Sequence, residues 1–425
     1  MNIIIQPNHL KGNIEAITSK SHAHRLMIAA ALCQQPCKVN INNMNQDLYA
    51  TEDCLSSLND DIPLLNCNES GSTLRFMLPI AMALKEEVSF YGKGRLPERP
   101  LSPLKEELEA HGCCFYKENL NSFSPLSKDL NSFPPLSEVK GLVQNEVKHI
   151  YTIKGRLMGG TFNLAGNISS QYITGLLFAL PLLNQDSTIN ITSKLESIGY
   201  VLLTLEVLAQ FGIKIECDFS YNEKTETHCV FYVKGNQKYI SPKEVTAEGD
   251  WSNAAFWLVA GALSKDVSCS GLNYDSVQGD KAIVPFIETV LSASCEDLYF
   301  DVSDVPDLVP ILAVLATSRN GVTHITNAAR LRIKESDRLA TVRELIINLG
   351  GKVDELPDGL IIYGTGNLVG GTVDGHNDHR IVMAATIASI LCSHPVTILG
   401  AEAVNKSYPK FLFDFSLLGG KYVIN

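Results

Sequence analysis

One arrangement recurs along the chain and limits its fold more than any other: an amphipathic helix, a glycine, then a short strand. Residues 100–112 carry it first, with Leu104 and Leu108 at helical spacing and Gly112 as the stop. Residues 200–215 repeat it with Leu205, Leu208 and Gly212, and residues 338–353 with Val342, Leu345 and Gly350. A weaker copy covers 281–300. The glycine suits the left-handed residue that ends a helix. Short β-branched runs at 3–5, 39–41, 213–215 and 360–363 alternate with helical stretches. The expected class is therefore α/β, built from internal copies. Residues 119–138 interrupt the pattern with a ten-residue Ser-, Pro- and Asn-rich segment duplicated in tandem. That composition predicts a surface insertion over 119–148.

A chain of 425 residues exceeds one domain of ~150 residues, so two large domains are expected. The net charge of −11 gives no global positive field for nucleic acid or an anionic membrane. Any bound anion must be caught by a local basic cluster. Eleven cysteines occur without a single CxxC, which points to buried thiols in a reducing cytosol rather than zinc or disulfide exchange. The first residues lack a basic, then apolar, leader pattern, and the longest apolar stretches are too short to span a bilayer. The expectation is a cytoplasmic protein with no nucleic-acid or membrane partner.

The basic residues concentrate at helix starts. Ser19, Lys20, Ser21, His22, His24 and Arg25 lead into the apolar run 26–33. Ser70, Gly71, Ser72 and Arg75 lead into 76–84, and Asn377, Asp378, His379 and Arg380 into 381–391. Lys334, Glu335, Ser336, Asp337 and Arg338 open the helix that stops at Gly350, and Ser169, Ser170 and Gln171 open 172–183. Each start offers Ser, Asn or Asp as N-cap. A cation there opposes the helix dipole by ~0.3–1 kcal/mol when exposed, and any single case could be a side chain reaching water. Four such cases together point to one shared anionic ligand site. The spacing of His376 and His379 lacks a third metal ligand nearby, and Gly364, Gly366 and Gly370 miss the dinucleotide fingerprint by one residue. No GxxxxGK[ST], GxSxG or HExxH is present.

In their order, these segments resemble the 5-enolpyruvylshikimate-3-phosphate synthase (3-phosphoshikimate 1-carboxyvinyltransferase) family, from Lys20 to Lys406. KESDR at 334–338, NDHR at 377–380 and SSQ at 169–171 carry most of the specificity. The resemblance implies two similar domains, each of three βαβαββ copies, with helices inside, sheets outside and the site in the cleft between them. The first would be discontinuous, 1–19 plus 244–425, and the second 20–243. It implies transfer of the enolpyruvyl group of phosphoenolpyruvate to the 5-hydroxyl of shikimate 3-phosphate, by addition then elimination of phosphate, on the way to chorismate. No metal or organic cofactor is implied, and the family is usually monomeric. Lys20, Ser21, Arg25, Ser169, Ser170, Ser197, Tyr200, Asp307 and Lys334 would hold shikimate 3-phosphate. Lys20, Gly71, Arg99, Gln171, Arg338, Arg380 and Lys406 would hold phosphoenolpyruvate. Asp307, Glu335 and Lys20 are the acid–base candidates; neighbouring cations lower a carboxylate pKa and burial raises it, so their roles stay open.

Glu69 stands where many members have Asn, and Arg330 where a substrate-binding Asn often lies. Ser72 replaces a common Thr, and Phe76 a common Pro. Gly71 is kept, which implies sensitivity to glyphosate. The related enolpyruvyltransferase acting on UDP-N-acetylglucosamine relies on a cysteine-bearing loop, and no Cys lies close to Arg99. A non-catalytic anion-binding scaffold is the remaining alternative. Two crossings could act as a hinge, and an empty cage of cations would resist closing.

Overall fold

The computed structural model describes residues 1–119, 149–224, 228–294 and 296–425. The tandem duplication and the rest of its expected insertion lie outside the described residues beyond position 119. In chain order, β1 (Ile3–Ile5) and β2 (Gly12–Glu15) come first, then α1 (Lys20–Ala31), β3 (Lys38–Asn40) and α2 (Gln46–Ser57). Two like units follow. One is β4 (Leu64–Asn66), α3 (Gly71–Leu84), β5 (Glu87–Tyr91), α4 (Leu104–Ala110), β6 (Cys113–Asn119) and β7 (His149–Gly155). The other is β8 (Thr161–Leu164), α5 (Ser170–Ala179), β9 (Ser187–Ile191), α6 (Ile198–Gln210), β10 (Ile215–Asp218) and β11 (Cys229–Val233). Next come β12 (Glu244–Thr246), α7 (Trp251–Ser264), β13 (Val267–Ser270) and α8 (Ile283–Ser292). A third unit holds β14 (Leu298–Asp301), α9 (Val309–Thr317), β15 (Asn320–Thr326), α10 (Arg338–Asn348), β16 (Lys352–Leu356) and β17 (Gly359–Thr365). The last holds β18 (Gly371–Asp374), α11 (His379–Ala388), β19 (Val396–Leu399), α12 (Phe411–Leu417) and β20 (Tyr422–Ile424).

The sheets repeat one plan. Strand orders β4-β5-β7-β6, β8-β9-β11-β10 and β14-β15-β17-β16 each join a parallel pair to two antiparallel strands. The fourth sheet, β18-β19-β1-β20, has the same plan, but its inner antiparallel strand is the chain's first strand. Four βαβαββ copies are thus complete. The other two reduce to parallel pairs among the described residues, β3 with β12 and β2 with β13. In these pairs the chain exchanges partners: β2 leads into α1 but pairs beside the strand that follows α7, while β12 leads into α7 but pairs with β3.

Strands such as β8 and β14 alternate exposed and buried residues, as an outer sheet with one wet face must. Every residue of α9 and α11 is buried, as expected of helices enclosed on all sides. Helices lie inside and sheets outside. Two apolar cores result. One joins Ile3, Ile17, Trp251, Leu312, Val382 and Phe411; the other joins Leu26, Phe76, Ile173, Val207, Phe231 and Ala247. The chain passes between cores at Thr18, which bridges to Gly249. Near the second passage, β12 stays paired to β3 and Ala247 sits in the second core.

Candidate active site

Local capping builds the site. Ser19, Ser70 and Ser169 accept backbone N–H bonds that start α1, α3 and α5. Asp250, Asp337 and Asp378 do the same for α7, α10 and α11. With α6, whose first turn carries Tyr200, the starts of these seven helices border one cavity lined from both cores. Their positive ends point at it, so the backbone itself favours an anion there. The helix starts singled out in the sequence are those of α1, α3, α5, α10 and α11. The start of α7, with Gly249, Asp250, Trp251, Ser252 and Asn253, is capped but has no cation to mark it. The helix expected over the apolar run 26–33 begins earlier, because Ser19 caps it at Lys20 and puts Lys20 and Arg25 on its first turns.

Lys20, Ser21, Arg25, Gly71, Arg99, Ser169, Ser170, Gln171, Ser197, Tyr200, Asp307, Lys334, Glu335, Arg338 and Arg380 all line this cavity. Lys406 does not. Its ammonium donates to Glu69 Oε2 at 2.6 Å and to the Asn377 carbonyl at 2.7 Å, two residues of an adjoining pocket that shares Arg99 and Glu335 with the cavity. Gly71 lies under Arg99: a Cβ there would come within 2.7 Å of the Arg99 guanidinium. Any side chain at position 71 would displace that cation.

On the wall built by residues 20–247, cations are held by neutral groups. Arg25 donates to Thr204 Oγ1 (2.8 Å), Thr174 Oγ1 (3.2 Å), the Tyr200 carbonyl (2.9 Å) and the Ser21 carbonyl (2.7 Å). Arg75 donates to Gln171 Oε1 at 2.7 Å, and the Gln171 amide donates to Ser72 Oγ at 2.8 Å. Arg99 and Lys20 are the exceptions. Arg99 Nη1 lies 3.6 Å from Glu335 Oε1 of the opposite wall. Lys20 pairs with Asp47 at 2.9 Å, and although burial alone would lower its pKa, Asp47 and then Glu335 outweigh burial and raise it.

On the opposite wall, cations are held by carboxylates. Arg338, 1% exposed, reaches Asp307 Oδ1 (2.7 Å), Glu335 Oε2 (2.7 Å) and both oxygens of Asp378 (2.8 and 3.2 Å). Lys334 and Arg380 each come within 3.4 Å of Asp307. Burial alone would raise the Asp307 carboxyl, but Arg380, Lys334 and Arg338 hold it well below the usual carboxylate range. Burial is likewise outweighed at Glu335, by Arg338 and Arg99. Charge wins at both candidates, so both are ionised at neutral pH. Asp280 goes the other way. Burial, then the Asp307 charge, push it up to about 6, while Tyr200 Oη donates to it at 3.3 Å from the other wall.

The cleft is therefore an alternation of charges rather than a cage of like ones. Asp47, Asp250, Asp280, Asp378 and His379 were not assigned from the sequence. Asp47, Asp250 and Asp280 lie outside the cation-bearing helix starts; Asp378 and His379 lie in one, where the sequence marks only a cap. Several buried polar atoms here lack any partner: Arg99 Nε, Arg380 Nε, Asp280 Oδ1 and both ring nitrogens of His379. Buried polar atoms are nearly always satisfied, so this concentration marks where a polar ligand docks. Burial, then Lys20, lower the His379 imidazole to about 3, which keeps it neutral.

Comparison with known proteins agrees with this geometry. A family model described as EPSP synthase (3-phosphoshikimate 1-carboxyvinyltransferase) matches residues 137–415. The 3-phosphoshikimate 1-carboxyvinyltransferase of Clostridium acetobutylicum is 40% identical, with 98% of this chain and 97% of that protein covered. That of Clostridium kluyveri is also 40% identical, at 99% and 97% coverage. Among solved structures, an EPSP synthase from Acinetobacter baumannii superposes with a TM-score of 0.74 over 100% of both chains at 19% identity. The enolpyruvyl transferase NikO from Streptomyces tendae does so with 0.71 at 16% identity, over 99% of this chain and 98% of its own. A cleft lined by opposed helix starts, full-length relatives at this identity and a shared fold lead to one conclusion: the chain belongs to the EPSP synthase family, the 3-phosphoshikimate 1-carboxyvinyltransferases.

Proposed function

We propose the following division of labour in the cleft for the family's reaction. The enzyme transfers the enolpyruvyl group of phosphoenolpyruvate to the 5-hydroxyl of shikimate 3-phosphate and releases phosphate, a step toward chorismate. Both substrates are polyanions, and the alternating cations supply preorganised countercharge. Lys20, Ser21, Arg25, Ser169, Ser170, Ser197, Tyr200 and Lys334 hold shikimate 3-phosphate. Lys20, the Gly71 backbone, Arg99, Gln171, Arg338, Arg380 and Lys406 hold phosphoenolpyruvate. The ionised Asp307 takes the proton of the 5-hydroxyl as its oxygen attacks the C2 of phosphoenolpyruvate. Lys20, kept protonated beside Asp47 and in the field of Glu335, gives a proton to the methylene carbon. Glu335 stabilises the cationic character that develops between them. Phosphate then leaves from the tetrahedral intermediate as the methyl group returns a proton to the Lys20 amine, and the proton held by Asp307 passes to the departing phosphate.

The observation that carries this reading is the convergence of helix starts and cations from both cores on one cavity that also holds two ionised carboxylates. We further propose that the two cores are two domains, 1–19 with the C-terminal part and 20 to about 247. One chain supplies both walls, which supports a monomer as the working unit. Burial pushes thiols such as Cys67 well above their usual range, which supports a reducing, cytoplasmic setting; among the described residues no helix is long and apolar enough to cross a membrane. The test is phosphate release from phosphoenolpyruvate with either shikimate 3-phosphate or UDP-N-acetylglucosamine as acceptor. Release with shikimate 3-phosphate alone, blocked by glyphosate, is expected. Release with the nucleotide sugar alone would overturn the acceptor assignment. Release with neither would leave an anion-binding scaffold.

A further inference from the structure

We propose that Glu69 is a positioning residue that sets how tightly the phosphoenolpyruvate end of the cleft holds anions, by acting as the resident counter-anion of Lys406. The inference rests on the assignment of Lys406 to that half-site.

Glu69 immediately precedes the Ser70 cap of α3, on the wall of the second core. Lys406 lies on the opposite wall and is only 7% exposed. The ammonium has three N–H donors. One goes to Glu69 Oε2 at 2.6 Å and one to the Asn377 carbonyl at 2.7 Å. The Asn377 amide donates back to Glu69 Oε2 at 3.1 Å, closing a triangle across the two walls. Asn377 is placed for this by a left-handed backbone, φ +52°, just before α11. Glu69 is seated as firmly. It packs over Gly94, where a Cβ would stand 2.8 Å from the carboxyl carbon.

The consequence follows from charge. Lys406 keeps one donor for a ligand, but its charge is already countered. A phosphate arriving at Lys406 also meets a carboxylate within a few ångströms. That repulsion acts on a dianion most strongly and is weakly screened at a partly buried site. The carboxylate thus disfavours simple anions that have little else to bind, inorganic phosphate first, relative to a substrate anchored by several cations. For a reaction that releases phosphate beside Lys406, weak retention of phosphate aids turnover. An Asn at position 69 would keep the hydrogen bonding and lose this effect.

The experiment uses the full enzyme and inorganic phosphate as the probe. Glu69→Gln keeps shape and an acceptor for Lys406 but removes the charge. Expected are a roughly three- to tenfold lower inhibition constant for phosphate against phosphoenolpyruvate, and a lower KM for phosphoenolpyruvate. The KM for shikimate 3-phosphate should not move, and the phosphate effect should shrink as salt is added. An unchanged or weaker phosphate affinity in a folded Glu69→Gln variant overturns the proposal. Lys406→Met separates the two levels. If it leaves phosphate inhibition and the phosphoenolpyruvate KM unchanged, the half-site assignment fails and the inference with it. If it weakens both while Glu69→Gln tightens nothing, the assignment stands and the inference fails. In the double variant the Glu69→Gln gain should vanish; a gain that survives without Lys406 would refute action through that residue.

Discussion

The two walls of the cleft solve the same electrostatic problem differently. Residues 20–247 hold Arg25 and Arg75 with hydroxyls, an amide and carbonyls. Residues 249–425 hold Arg338, Arg380 and Lys334 with Asp307, Glu335 and Asp378. Neutral acceptors leave a cation's charge intact, so Arg25 and Arg75 present nearly bare countercharge to a ligand. Carboxylates cancel charge locally, so the second wall is nearly self-neutral, and its carboxylates are kept ionised by the same contacts. On the proposed roles the first wall mainly binds, while the second both binds and accepts the 5-hydroxyl proton. Lys20 stands between these cases, a cation of the first wall paired to Asp47.

The sharpest way to break this contrast is Asp307→Asn. On the proton-moving wall it should lower kcat by ~10²–10⁴-fold. Ser170→Ala, on the binding wall, should instead raise the KM for shikimate 3-phosphate with little change in kcat. Steady-state kinetics of the two variants decides; equal kcat losses would erase the distinction.

The next effect is on stability. Asp378→Ala leaves the fully buried Arg338 short of its two-oxygen partner and removes the α11 cap, and should cost about 3–5 kcal/mol. Thr204→Val, which removes a neutral acceptor from Arg25, should cost only about 1–3 kcal/mol. Denaturant unfolding of both variants measures the difference.

A third test uses pH. Asp280 has its folded pKa raised to about 6, so the native state binds its proton more tightly than the unfolded chain does. Its stabilising share is complete below the unfolded carboxylate pKa of ~4 and is lost as pH rises through 6. Asp280→Asn should therefore gain on the order of 3 kcal/mol above pH 7 and nothing below pH 4. Asp307 and Glu335, with depressed pKa values, have the opposite sign: their share is present above ~4 and fades as pH falls further. Unfolding free energies from pH 3 to 8 for the wild type and Asp280→Asn would show both.

The smallest effect lies at the rim. Arg330 Nε meets Glu196 at 2.7 Å across the walls, and Arg330 also donates to Ser197 Oγ at 2.9 Å. Glu196→Gln should cost up to about 1 kcal/mol, because such pairs contribute little when partly wet. Small-angle scattering should show a slightly larger radius of gyration without ligand. A change as large as that of Asp378→Ala would mean that the rim, not the buried network, holds the walls together.

Much of the site was legible because its signals are local. Ser19, Ser70, Ser169, Asp337 and Asp378 cap their helices within three residues, and each sits beside the residues that line the cavity. The glycines at 112, 212 and 350 that follow α4, α6 and α10, each leading into a strand, are read over a dozen residues. These features follow from hydrogen-bond geometry and periodicity, which the chain carries wherever it folds. Asp250 shows the boundary of that legibility: its cap was readable, but without a cation nothing tied it to the site.

Other features depend on distances between remote segments, and only the tertiary structure decided them. Arg338 draws carboxylates from positions 307, 335 and 378, and Lys406 leaves the cavity wall for Glu69, 337 positions away in the chain. The exchange of β2 and β12 between the two parallel pairs joins remote segments, Gly12 beside Val267 and Lys38 beside Glu244. The lowered pKa of Asp307 and the raised pKa of Asp280 are sums of burial and charge, and neighbouring positions in space end with opposite signs. Sequence fixes which groups are present and how each helix begins; the sign of such a sum exists only once the groups are packed at their final distances.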